Sequence, residues 1–222
     1  MIAIENLQVV HGCKLTLSID RLKIEHGEKV CLIGKSGSGK TTLIECIFGL
    51  RTYTGSISAD IGRISFSPQK SDLIPNFKVK TNILMGRFGG RSFFRNIASL
   101  NKADPKIDEI LASVNIPDKK ERYVKTLSGG EHQRVLIARA IYEDKDIFML
   151  DEPTSALDIV NSLNIIEALL RYKAENTVIC AIHNLSLLNF FQRVIILKDG
   201  KIILDDKVSN VDPREIGMYF DD

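Results

Sequence analysis

The chain has 222 residues, 44% of them hydrophobic and 26% charged, proportions that exclude a disordered, collagen-like or disulfide-scaffold protein and allow one sizeable core. Its 30 basic and 28 acidic side chains leave a formal net charge of +2, too even a balance for bulk electrostatics to recruit nucleic acid or an anionic membrane. No run approaches the roughly 20 apolar residues that span a bilayer, and the opening MIAIENLQVV lacks the basic start and apolar stretch of a signal peptide.

From Ile2 to Ile24 apolar and polar residues alternate in patches, as in Leu15-Thr16-Leu17-Ser18-Ile19, which predicts half-buried antiparallel strands. Val30-Cys31-Leu32-Ile33 is continuous and apolar, the pattern of a strand covered on both faces, and a helix is expected from about Thr41 to Phe48. Cys31 sits inside that run. The other cysteines, Cys13, Cys46 and Cys180, form no CxxC pair with it or with each other, so buried free thiols in a reducing cytosol are expected.

Another strand is predicted at Arg63 to Phe66. From Thr81 to Arg122 the period turns helical, with Ile107, Ile110, Leu111 and Val114 on one face, and reads as a helical insertion. Two apolar runs, Ile147 to Leu150 and Val178 to Ile182, flank a helical stretch near Leu163 to Tyr172 in the rhythm of a parallel βαβ unit. Val194 to Leu197 and Ile202 to Leu204 bracket Asp199-Gly200, a tight-hairpin signal. No further domain is expected after this hairpin.

Between the buried strand and the helix stands Gly34-Lys35-Ser36-Gly37-Ser38-Gly39-Lys40-Thr41, followed by Thr42. It fits the phosphate-loop pattern at every constrained position and in the required strand–loop–helix context. Its glycines let backbone N–H groups wrap a phosphate, and the helix start adds its positive dipole end. Lys40 is expected at the β- and γ-phosphates and Thr41 at Mg²⁺. The alternative is a flexible glycine turn with a fortuitous lysine.

The run Ile147 to Leu150 delivers Asp151 and Glu152 at its end, on the sheet edge where open α/β folds bind ligands. Asp151 suits the magnesium shell and Glu152 the polarisation of an attacking water. His183, after the strand Val178 to Ile182, emerges on the same edge. It is either structural or a partner of the γ-phosphate or of that water.

Leu127-Ser128-Gly129-Gly130-Glu131 precedes a helical run, His132 to Tyr142. Ser128 and Glu131 satisfy a capping box, but two glycines in a first turn cost roughly 1 kcal/mol each relative to alanine. Bare N–H groups beside a serine hydroxyl at a helix N-terminus make a second surface suited to a phosphate.

With these motifs in place the chain resembles the ABC ATPases over nearly its whole length: GKSGSGKT as Walker A, Gln69 as the Q-loop, LSGGE as signature, IFMLDE as Walker B, Ser155 to Asp158 as D-loop, and His183 as the switch histidine. The resemblance implies an α/β phosphate-loop NTPase core with an N-terminal antiparallel β layer and a helical insertion. It places one ABC ATPase domain over 1–222, with 1–70 and 140–222 as catalytic core and 71–139 as helical subdomain. It implies ATP and Mg²⁺ as cofactors, with Gln69 reaching the metal, and a head-to-tail pair with a second copy or a paralogous cassette. In that pair Ser128, Gly129, Gly130 and Glu131 cover the partner's ATP and Asp158 links the two sites. Integral membrane permease subunits, with a solute-binding protein as a further candidate, would complete an assembly on the cytoplasmic face of the cell membrane. Where the family stacks an aromatic on adenine, this chain offers His11, which equally reads as a surface histidine before Gly12.

Arg87, Phe88, Arg91, Phe93, Phe94 and Arg95 interleave in the insertion. The mix suits partner docking better than nucleic acid, since arginine and aromatic residues favour interface centres, while a loop packing its own phenylalanines is the plainer alternative. This stretch also resembles the matching segment of phosphonate-importer ATPases, making a phosphonate or related small anion the leading cargo. A soluble ABC ATPase in repair, translation or assembly is the competing class. Too few positions separate Gln69 from Leu127 for the coiled coil of the repair relatives, and a single cassette is unlike the translation factors, so an assembly factor is what remains of it.

Overall fold

The computed structural model describes residues 1–69, 72–87, 104–155, 157–172 and 175–219. They fall into two compact units, 1–66 with 146–152 and 174–222, and 67–145 with 153–173.

The first unit opens with β1 (Ile2–His11) and β2 (Lys14–Ile24), paired antiparallel from Ile2↔Ile24 to His11↔Lys14. The alternation read from the sequence is what buries Ile2, Ile4, Leu7, Leu17 and Ile19 while their neighbours face water. A third strand, β4 (Thr54–Ser58), pairs antiparallel with β1. Its sequence TGSIS carries a single large apolar residue and gave no strand signal.

The second sheet runs β5-β6-β7-β3-β8-β9, built from β3 (Lys29–Ile33), β5 (Ile64–Ser67), β6 (Ile147–Asp151), β7 (Thr177–Ala181), β8 (Arg193–Lys198) and β9 (Lys201–Lys207). β3 is parallel to β7 and β8, and β6 is parallel to β7. β8 turns back antiparallel into β9. Residues of β3, β6 and β7 are buried throughout, as the continuous apolar runs require. Their inner-facing side chains share one core with β1, β2 and helix α1 (Lys40–Ile47).

The second unit is helical: α2 (Val79–Met85), α3 (Pro105–Ser113), α4 (Gly129–Glu143) and α5 (Ile159–Tyr172). The expected α3 face is the buried one, through Ile107, Ile110, Leu111 and Val114. Helix α5 starts four residues before the sequence-expected Leu163, because Asp158 caps it: its carboxylate accepts the Asn161 N–H at 2.9 Å and its carbonyl accepts that of Ser162. Asp104 caps α3 by accepting the Lys106 N–H, with Pro105 in the first turn. The α/β phosphate-loop architecture with an antiparallel N-terminal layer and helices is the fold expected from the sequence. Among the described residues no helix is long and apolar enough to cross a membrane.

Candidate functional site: a phosphate loop facing two carboxylates

Three parallel strands end together in the first unit. Register places Leu32 of β3, Ala181 of β7 and Asp151 of β6 in one row. The Ile182 N–H donates to the Leu32 carbonyl and the Glu152 N–H to that of Ala181. The phosphate loop therefore starts two residues past this row on β3, His183 stands two past it on β7, and Asp151 and Glu152 occupy the end of β6. The carboxyl edge of the parallel strands thus gathers every chemical group that the sequence assigned to it.

The loop is shaped by close approach. A Cβ on Gly34 would stand 2.5 Å from the Leu197 carbonyl oxygen and 2.9 Å from the Ser38 Cβ, so only glycine fits. Gly37 and Gly39 take φ of 81° and 107°, and Gly39 is the N-cap of α1. Lys35 and Ser36 are exposed, Ser38 and Lys40 buried, and Thr41 and Thr42 open the helix. Lys40, only 4% exposed, donates from Nζ to the carbonyls of Gly34 at 2.7 Å and Lys35 at 3.3 Å. Burial pulls its ammonium below the usual lysine range, and the charges of Glu152 and Asp151 oppose that pull. The Asp199-Gly200 hairpin braces the loop from behind: the Gly200 N–H donates to the Ser38 carbonyl, and its own carbonyl accepts the Ser18 N–H at 2.7 Å.

Asp151 is buried, and desolvation raises its carboxyl above the usual range against a hydrogen bond from Thr41 and the charge of Lys40. Among the described residues its Oδ1 has no hydrogen-bond partner. A buried, unmatched carboxylate oxygen beside a hydroxyl is a costly arrangement that a hard cation relieves, so these oxygens fit Mg²⁺. Glu152 holds φ at 55°, a left-handed backbone that a side chain of its size rarely adopts. Its Oε1 lies 2.5 Å from Nε2 of His183, whose side chain is 48% exposed. The histidine thus touches the acid expected to polarise water. His11 closes β1 at the exposed hairpin tip, followed by Gly12 at φ 62°.

In the second unit, Ser128 caps α4 through a complete capping box. The Glu131 N–H donates to Ser128 Oγ at 3.3 Å and the Ser128 N–H to Glu131 Oε2 at 2.8 Å. Gly129 and Gly130 form the first turn, and a Cβ on Gly130 would meet Leu157 Cδ2 at 2.9 Å. Gln69 is exposed and engaged in a contact of its own. Ser155 and Asp158 are exposed just before α5. Arg87 is held within the unit: its guanidinium lies 4.5 Å from the Tyr142 ring centroid and donates to the Tyr142 carbonyl at 3.0 Å. The other expected docking residues, Phe88, Arg91, Phe93, Phe94 and Arg95, lie outside the described residues.

Sequence reading passed over Arg134 and Asn161, which the fold joins to Asp158. The available signal was a lone arginine among the buried residues of α4 and an asparagine at the third helical position after a capping aspartate.

The ABC transporter family profile matches residues 17–155 of the chain. The chain belongs to the ABC transporter ATP-binding family. This ABC cassette is 33% identical over 228 residues to the phosphonates import ATP-binding protein PhnC of Lactococcus lactis subsp. lactis, covering 92% of both chains. It is 30% identical to the hypophosphite import ATP-binding protein HtxD of Stutzerimonas stutzeri, over 97% of this chain and 70% of that one. Among solved structures it matches a dimeric ATP-binding cassette in a post-hydrolysis state bound to ADP and Pi, at TM-score 0.77 and 27% identity, covering 94% of this chain and 99% of the other. A nucleotide-free cassette matches at TM-score 0.81 and 22% identity, a likeness of fold. The cassette is therefore an ATP-binding subunit of the ABC transporter type, and its enzyme class is ATPase.

Proposed function

We propose that the cassette powers an importer for a phosphonate or related small phosphorus oxyanion. The observation that carries the motor reading is the shared strand edge, where Lys40, Asp151, Glu152 and His183 converge on one phosphate-binding loop. Backbone N–H groups of residues 34–39 and the start of α1 bind the phosphates, and Lys40 exchanges its loop carbonyls for the β- and γ-phosphate oxygens. Glu152, held by its strained backbone and by His183, accepts the proton of the attacking water. Thr41 and Asp151 would hold Mg²⁺, which when bound supplies charge neutralisation at the phosphates. His11 stacks on the adenine with less area than a larger aromatic would give.

A single cassette holds both a phosphate loop and a glycine-started helix, and the second has no use on its own ATP if the cassettes pair head to tail. Two cassettes then enclose two ATP molecules, Ser128 to Glu131 of each covering the nucleotide of the other. Permease subunits dock on the helical unit, with Arg87 to Arg95 as handle and Gln69 as the link to the nucleotide, at the cytoplasmic face of the membrane.

The test is Glu152→Gln. Hydrolysis should fall to background while ATP binding persists and ATP-held dimers accumulate in size-exclusion chromatography. Unchanged ATP consumption would sink the assignment. The cargo rests on the phosphonate and hypophosphite relatives, although a methionine import ATP-binding protein of Campylobacter jejuni is also 31% identical. Disrupting the cassette in its source cell should abolish phosphonate uptake. Loss of methionine uptake instead would overturn the cargo, and purification of the cassette from its source cell in a soluble complex with no membrane partner would favour the assembly-factor alternative.

A further inference from the structure

Within the second unit, the start of α4 and the start of α5 are joined twice. Leu157 packs where Gly130 has no side chain. Deeper in α4, the buried Arg134 donates from Nη1 to the Val114 carbonyl at 2.7 Å and from Nη2 to Oδ1 of Asn161. Asn161 in turn donates from Nδ2 to Asp158 Oδ2 at 2.5 Å and from its backbone N–H to Asp158 Oδ1 at 2.9 Å. The amide is thereby oriented, oxygen toward the guanidinium and nitrogen toward the carboxylate.

This arrangement is more than a helix cap. Capping α5 needs only Asp158 and the Asn161 N–H. A buried guanidinium is expensive unless its charge is met, and among the described residues no carboxylate lies within ion-pair distance of Arg134. Its charge reaches that of Asp158 only through the Asn161 amide. Beside Asp158, Ile159 and Val160 are left 57% and 66% exposed on the first turn of α5, an apolar surface next to a fixed carboxylate.

We propose that Arg134 and Asn161 are positioning residues that lock the Asp158 carboxylate to the Ser128–Glu131 helix, so that the two segments meeting the partner cassette move as one piece. The inference rests on the head-to-tail reading above. Contact of α4 with the partner's ATP then sets the position of Asp158 without any further rearrangement, coupling one nucleotide site to the other.

The test uses the full chain with Asn161→Ala, which removes the side-chain bonds to Arg134 and to Asp158 Oδ2 while leaving the backbone cap, and Asn161→Asp, which leaves an acceptor for Arg134 but whose side chain cannot donate to Asp158. Both variants should lose about tenfold in turnover at saturating ATP, the scale of one hydrogen bond to a charged group. The ATP dependence should lose its cooperativity, while affinity of the isolated cassette for a fluorescent ATP analogue stays within about twofold of the parent. Turnover is read well below the unfolding midpoint of each variant, and Asn161→Asp carries the test if the alanine variant fails to fold. Retained turnover and cooperativity in a folded variant, with an active parent, would overturn the inference alone. Equal losses in nucleotide affinity and turnover would show a merely structural role and overturn it too. A parent without ATP turnover would overturn the motor reading and the inference together.

Discussion

A thiol reacts as its thiolate, so burial decides which of the four cysteines an aqueous disulfide reagent can reach. Cys13 is exposed at the β1–β2 turn, whereas Cys31, Cys46 and Cys180 are buried. Burial pushes the Cys31 thiol up to about 12 and Cys46 to about 11, and it raises Cys180 well above the usual thiol range. One thiol per native chain should therefore react fast at neutral pH, and all 4 after denaturation, followed by absorbance of the released chromophore. Native labelling of Cys180 at the rate of Cys13 would refute this packing. The sequence foresaw buried thiols at all four positions in general terms. Cys13 departs because Gly12 and Cys13 form the hairpin turn, which points away from the core; the glycine at φ 62° marks that turn, whereas a cysteine taken by itself does not.

At the scale of elements, the two readings of Ser128 turn out to be compatible, since the capping box is formed and the glycine-bearing first turn is still there. A substitution can separate them. Ser128→Ala should cost about 1 kcal/mol of stability by losing the cap, whereas Ser128→Asp keeps a good cap and lays a negative charge where a phosphate is expected. Thermal denaturation should find the aspartate variant close to the parent, and an ATPase assay should find it nearly inactive. If the aspartate variant hydrolyses ATP normally, α4 is only a capped helix. The candidate residues of each unit were legible because their motifs are contiguous: the phosphate loop and the acidic strand end in the first unit and the glycine-started helix in the second are each runs of adjacent residues. What the sequence concealed is long-range. The bracing of Ser38 by Gly200, the row aligning Leu32, Ala181 and Asp151, and the relay from Arg134 to Asp158 all join residues far apart in the chain. Strand β4 was hidden for another reason, because pairing with β1 rather than an apolar pattern makes it a strand.

At the scale of the whole molecule, head-to-tail pairing makes a demand that a cassette acting alone does not. A Glu152→Gln chain lacks the residue that activates water but keeps its Ser128–Glu131 helix, and a Ser128→Asp chain has the reverse defect. Each should be inactive by itself. In a mixed pair, one site combines both defects, while the other joins the intact Glu152 of one chain to the intact Ser128 of its partner. Equimolar mixing before ATP is added should therefore restore hydrolysis to at most about a quarter of the parent rate, since half of the pairs are mixed, each holds one complete site of two in a symmetric dimer, and coupling to the defective site can only lower that ceiling. The measurement is steady-state phosphate release from the two variants alone and together. A mixture no more active than its components would mean that each chain completes its own site, and the second phosphate-facing helix start would need another explanation.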